Sequence, residues 1–105
     1  MKARYLIAIA ASLSVSATAF AASEAETLFT QANCGMCHAA ASESLGPSLK
    51  AIAAKHKGNK DAQAQLEKKV RSGGSGTFGT MPMPATPKSV SDESIKAIVK
   101  WILSQ

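Results

Sequence analysis

The chain has 105 residues, with 12 Lys and Arg against seven Asp and Glu, a net charge of +5, and 5% aromatic residues. This length allows one small domain, and the mild positive balance falls short of a nucleic-acid-binding charge. Large apolar side chains are few, so a core built from them alone calls for help from a disulfide, a metal or a cofactor.

The amino terminus sets the compartment. Lys2 and Arg4 precede the apolar run "YLIAIAASLSV" from Tyr5 to Val15, and Ala19-Phe20-Ala21 has the small-x-small form of a signal peptidase site. This is the pattern of a secretory leader over residues 1–21, with cleavage after Ala21 or Ala22. The run is short for a membrane span. The expectation is a mature domain over 22–105, free of the membrane and periplasmic. Removing Lys2 and Arg4 lowers the net charge from +5 to +3. What remains is uneven. Seven bases between Lys50 and Arg71 face only Asp61 and Glu67, which suggests steering toward an acidic partner.

Four helices are predicted in the mature chain. The first begins with Ser23 as N-cap and Glu26 at N3, a capping box, carries Leu28 and Phe29, and breaks near Gly35. The second is "LKAIAAKHK", capped by Ser48 after Pro47 and ended by Gly58. The third runs from about Lys60 to Ser72, with Gly73 as its stop. The fourth is capped by Ser91, with Asp92 and Glu93 at its positive end and Val90 and Ile95 placed as a hydrophobic staple. Ile95, Ile98, Val99 and Ile102 then recur at helical spacing. Between the last two helices lies "GGSGTFGTMPMPATPKSV", with four glycines and three prolines. So long an irregular loop is rarely idle in a small domain. Pro82 and Pro84 stiffen the backbone on both sides of Met83. No run alternates strictly enough for a strand.

Both cysteines lie in "CGMCH", as Cys34 and Cys37, with His38 directly after. Four chemistries compete for them. A thioredoxin-like dithiol would follow an apolar strand in a βαβ unit, whereas "AETLFTQAN" reads as helix. A structural zinc ion needs four ligands, and adjacent Cys37 and His38 with distant His56 are a poor set. A bare Cys34–Cys37 disulfide closes a tiny loop, stabilises little and leaves His38 without a role. C-x-x-C-H is the attachment signature of a c-type haem: two thiols can add to the two porphyrin vinyl groups, and the next residue can bind the iron. A leader for export supports this last chemistry, which dominates the reading.

With these residues in view, the mature chain resembles a short bacterial class I cytochrome c of the cytochrome c-five-fifty-one type. The resemblance runs through "CGMCH", "LGPSLKAIAAKHKG", "RSGGSGTFG", "MPMP" and "VSDESIKAIVKWILSQ". It implies an all-α fold wrapped around one covalent haem c, with the terminal helices packed together so that Phe29 approaches Trp101. His38 then supplies one axial ligand. Met36, Met81, Met83 and His56 are the candidates for the other. Met36 lies inside the attachment loop, and His56 lies among lysines, where an exposed histidine is expected. The resemblance places the ligand at Met83, with Met81 packing on the haem face or rim. It also implies that the Pro47 carbonyl accepts the His38 ring N–H, and that "RSGGSGTFG" follows the propionate edge, where Arg71 or Lys69 could neutralise a carboxylate. Phe78 departs from the tryptophan common in the family and has no indole N–H to offer there.

The function implied is electron transfer, not enzymatic turnover. A monomeric carrier would exchange single electrons through an exposed haem edge. Its donor would be a quinol-oxidising cytochrome complex, and its acceptor a terminal oxidase, nitrite reductase or peroxidase. The alternatives are a haem sensor or peroxidase-like protein in which Met83 leaves the iron, and a thiol oxidoreductase with free Cys34 and Cys37.

Overall fold

The computed structural model describes residues 17–105. The expected leader over 1–21 lies outside the described residues, except for its last five positions. Those five begin helix α1, Ala17–Gln31. Ser23 therefore sits inside a helix in the full chain, and its carbonyl accepts from the Thr27 hydroxyl at 3.1 Å. The expected capping box is not formed, because upstream backbone already continues the helical ladder through Ser23. The helix ends at Gln31, short of the expected break near Gly35. Asn33 adopts the left-handed conformation at φ 62°, which asparagine tolerates better than most side chains, and a 3-10 turn over Cys34–Met36 follows.

Helix α2, Leu49–Lys55, begins where the sequence places its cap: the Ser48 hydroxyl accepts from the Ala51 N–H at 3.1 Å. Helix α3, Ala62–Ser72, ends at Gly73, whose φ of 68° is in the region that favours glycine. Helix α4, Asp92–Leu103, is capped by Ser91, which accepts from the Ser94 N–H at 3.1 Å. Asp92 and Glu93 occupy its first turn, next to the positive end of the helix dipole.

Helix α4 is the shared support, packing on α1, α2 and α3. Ile95, Ile98, Val99 and Ile102 are all buried on it, as their spacing requires. Ile98 and Ile102 join Phe29, Leu49 and Ile52 in one core cluster. Phe29 meets Trp101 edge to face, with ring centroids 5.3 Å apart and planes at 64°, a geometry that favours the quadrupoles of both rings. Among the described residues there is no strand. Gly74 and Met83 nevertheless form an isolated antiparallel bridge, which sequence alternation cannot reveal because it is only one pair long. The architecture is all-α.

Leu49 is 1% exposed and sits in the core cluster. Leu49→Ala is expected to lower the unfolding free energy by about 2–5 kcal/mol. Met36 is 73% exposed, and Met36→Ala should stay within about 0.5 kcal/mol of the parent. Denaturant unfolding followed by circular dichroism checks both.

Candidate haem site

The helices and the loops between them leave a cavity of about 380 Å³, within the range of ordinary cofactor sites. Its apolar wall includes Phe29, Ile52, Leu66, Ile98, Val99 and Ile102, so core residues of four elements face it. Cys34, Cys37, His38 and Met83 all line the same cavity. Glycine-rich backbone from Gly74 to Gly79 supplies much of the remaining rim.

The 3-10 turn aims the thiols. The N–H groups of Cys37 and His38 both donate to the Cys34 carbonyl, at 3.2 and 3.1 Å. This tight backbone leaves Cys34 and Cys37 as free thiols on one wall. Burial pushes the Cys34 thiol up, opposed by its own backbone hydrogen bond and assisted by neighbouring Cys37. A raised thiol remains protonated at neutral pH, the opposite of what a redox-active dithiol needs.

His38 is fixed from behind. Its Nδ1 lies 2.8 Å from the Pro47 carbonyl oxygen. A carbonyl can only accept, so Nδ1 carries the proton and Nε2 keeps its lone pair for a metal. Gly46 makes this approach possible. A Cβ there would meet His38 Cε1 at 2.8 Å and Nδ1 at 3.0 Å. The Gly46 N–H also donates to the Cys37 carbonyl at 2.8 Å, closing the loop on the attachment segment. Sequence reasoning passed over Gly46. Its place just before Pro47 in "LGPS" was the available signal.

Met83 is half-buried. Its N–H donates to the Gly74 carbonyl at 2.8 Å, and its carbonyl accepts from the Gly74 N–H at 2.9 Å. Gly73 is pressed against the same segment: a Cβ there would collide with the Met83 carbonyl and approach Ala85 N at 2.7 Å. Met81 is 64% exposed at the cavity mouth, and Phe78 is 45% exposed there, with Lys55 Nζ 5.3 Å from its ring centroid.

Two expectations are corrected. Arg71 does not line the cavity. Its guanidinium is committed to the carbonyls of Thr86, Pro87 and Val90 and to Asp92, because the chain returning from Met83 to α4 passes in front of it. Lys69, two residues earlier on α3, is the base on the cavity wall, next to Gly74. His56 is not a fully exposed histidine. It is half-buried at the end of α2, one turn beyond Ile52, and reaches the cavity wall.

Two free thiols, an imidazole with one nitrogen already committed, a thioether and apolar walls form a donor set suited to a covalently held haem. Together with four helices around one cavity, they define a helical haem-binding domain. The chain belongs to the cytochrome c family, whose model matches residues 22–105. It is 36% identical to cytochrome c-551 of Pseudomonas aeruginosa over 105 residues, all of this chain and 99% of that one. It is 43% identical to cytochrome c2 of Rubrivivax gelatinosus over 77 residues, 72% of this chain and 91% of the relative. The crystal structure of Nitrosomonas europaea cytochrome c552 superposes with a TM-score of 0.72 at 40% identity, covering 75% of this chain and 96% of the other. The fold is thus that of a class I cytochrome c. The family carries one covalently bound haem c, and this chain is a mono-haem electron carrier, not an enzyme.

Gly46→Ala is expected to push the His38 ring off the Pro47 carbonyl and cost about 1–3 kcal/mol through the lost hydrogen bond and overpacking. Denaturant unfolding, with NMR detection of the His38 Nδ1 proton, measures it. An unchanged proton signal and midpoint would contradict the close approach.

Proposed function

We propose that the mature domain, residues 22–105, binds its haem through thioethers from Cys34 and Cys37 and through axial bonds from His38 and Met83. On this reading it shuttles single electrons between respiratory complexes in the periplasm. The observation that carries the reading is that one cavity collects both cysteines, His38 and Met83. When bound, the haem supplies an iron that cycles between ferric and ferrous states; every other property belongs to the chain.

Pro47 holds the His38 ring and makes it a stronger donor. The bridge to Gly74, with prolines on either side, holds Met83 at low entropic cost. A thioether favours the ferrous state, so Met83 raises the potential relative to two histidines. Half-buried Met83 suits this role better than Met81, which is mostly exposed. With both axial positions taken by protein, no position remains for oxygen, peroxide or substrate, which disfavours the sensor and peroxidase readings. Lys69, in place of Arg71, is the base available to a haem propionate.

Exposed Leu45, Phe78 and Met81 give the cavity mouth an apolar rim, and Lys55, against Phe78, and Lys69 supply charge near it. That combination suits brief, weak docking to acidic redox proteins: a quinol-oxidising cytochrome complex as donor, and a terminal oxidase, nitrite reductase or peroxidase as acceptor. Export by a leader over 1–21 is supported by the family match, which begins at residue 22. No helix among the described residues is long and apolar enough to cross a membrane.

The ferric protein is expected to show a weak red sulfur-to-iron absorption band. Met83→Ala should abolish the band, lower the reduction potential and let the ferrous protein bind carbon monoxide, while Met81→Ala should retain the band. A band that survives in Met83→Ala would reject Met83 as the ligand. Rapid carbon monoxide binding by the unmodified protein would favour a sensor.

A further inference from the structure

Arg71 belongs to the basic stretch of the sequence, yet its guanidinium is bonded to the chain that follows Met83. It lies in the last turn of α3. One guanidinium nitrogen, Nη1, donates to the carbonyls of Thr86 at 3.3 Å and Pro87 at 3.0 Å. The other, Nη2, donates to the Val90 carbonyl at 2.8 Å and to Asp92 Oδ1 at 2.6 Å. These four acceptors span the whole return arm from the loop to the first residue of α4.

The arm is short. Only Pro84 and Ala85 separate Met83 from Thr86, and the Thr86 N–H donates to the Val70 carbonyl at 3.2 Å. On its other side Met83 is bridged to Gly74, directly after the end of α3. Met83 is therefore held between two attachments to one helix end. The Gly74 bridge fixes it from the amino-terminal side of the loop, and Val70 with Arg71 fixes it from the carboxyl-terminal side.

We propose that Arg71 is a positioning residue for Met83: its guanidinium clamps the Thr86–Val90 carbonyls to α3 and so keeps the methionine-bearing loop closed over the cavity. The inference rests on the reading of Met83 as an axial ligand. The carbonyls of the arm, more than the ion pair, carry the clamp. Asp92 is 91% exposed in its side chain, where an ion pair contributes little. Among the described residues the Thr86 and Val90 carbonyls have no other partner, so removing Arg71 leaves two partly buried acceptors without a protein donor. A lysine could reach only part of this set, because its ammonium lacks the planar fork that spans several acceptors.

The test uses the haem-loaded protein and measures opening of the loop by an added ligand. Imidazole can bind the ferric iron only when the methionine has left, so its apparent affinity reports the open population. Arg71→Ala is expected to bind imidazole about tenfold more tightly than the parent, with the sulfur-to-iron band weakening at lower temperature while the helical circular dichroism persists. Arg71→Lys should fall between the two, and serves if the alanine variant does not accumulate. Asp92→Asn should bind imidazole as the parent does. Parent-like imidazole affinity in Arg71→Ala or Arg71→Lys would overturn the clamp. So would a changed potential with an intact band and unchanged imidazole affinity, the signature of a base acting on the haem edge. A parent protein with no sulfur-to-iron band would overturn the Met83 reading itself, and the clamp with it.

Discussion

The structure depends on one constraint: a small helical domain several of whose core side chains also face one cavity. Phe29, Ile52, Ile98 and Ile102 serve both the core cluster and the cavity wall. Without a filling group, those side chains would surround a void, and voids forfeit the dispersion contacts that close-packed interiors rely on. A covalently held haem answers this. On the proposed reading it would be tied to the chain at Cys34 and Cys37, so that cofactor binding and core formation become one event. The shortage of large apolar residues noted in the sequence is the compositional trace of the same fact.

Around that hollow, the chain uses backbone contacts to hold side chains in place. His38 is oriented by a carbonyl, Met83 by a backbone bridge, and the arm beyond Met83 by an arginine that grips carbonyls. Two glycines permit these approaches. Gly46 lets the chain pass against the imidazole, and Gly73 lets α3 end against Met83. Neither has room for a methyl group. With His38 and Met83 as the proposed axial ligands, such rigid support suits an electron carrier, because little atomic movement would then be needed when the charge on the iron changes.

Much of this was legible in the sequence. Ser48 and Ser91 cap helices as their positions imply, because a serine hydroxyl before an apolar run has few better partners than the free N–H groups of the first turn. The periodic stripe of α4 follows from a strong local pattern, and the meeting of Phe29 with Trp101 is the one that the family resemblance implies. The start of α1 did not follow. A cap depends on where the helix begins, and in the full chain residues before Ser23 are already helical. The turn at Asn33, just past the end of α1, was hidden behind the more conspicuous Gly35. Arg71 was misplaced for a different reason. Its one-dimensional neighbours are glycines and bases, but its partners are 15 to 21 residues away, and only the path of the loop brings them together. The same holds for His56, whose half-buried setting comes from the face of α2 it shares with Ile52.

The central claim is that the haem completes the core. It is tested most directly by comparing the haem-loaded domain with a Cys34→Ser, Cys37→Ser variant that holds no haem, using thermal unfolding followed by far-ultraviolet circular dichroism. The account predicts a cooperative transition and full helical signal for the loaded protein. For the variant it predicts a weak helical signal with no cooperative transition. A haem-free variant that keeps the full helical signal and unfolds cooperatively at a similar temperature would contradict it.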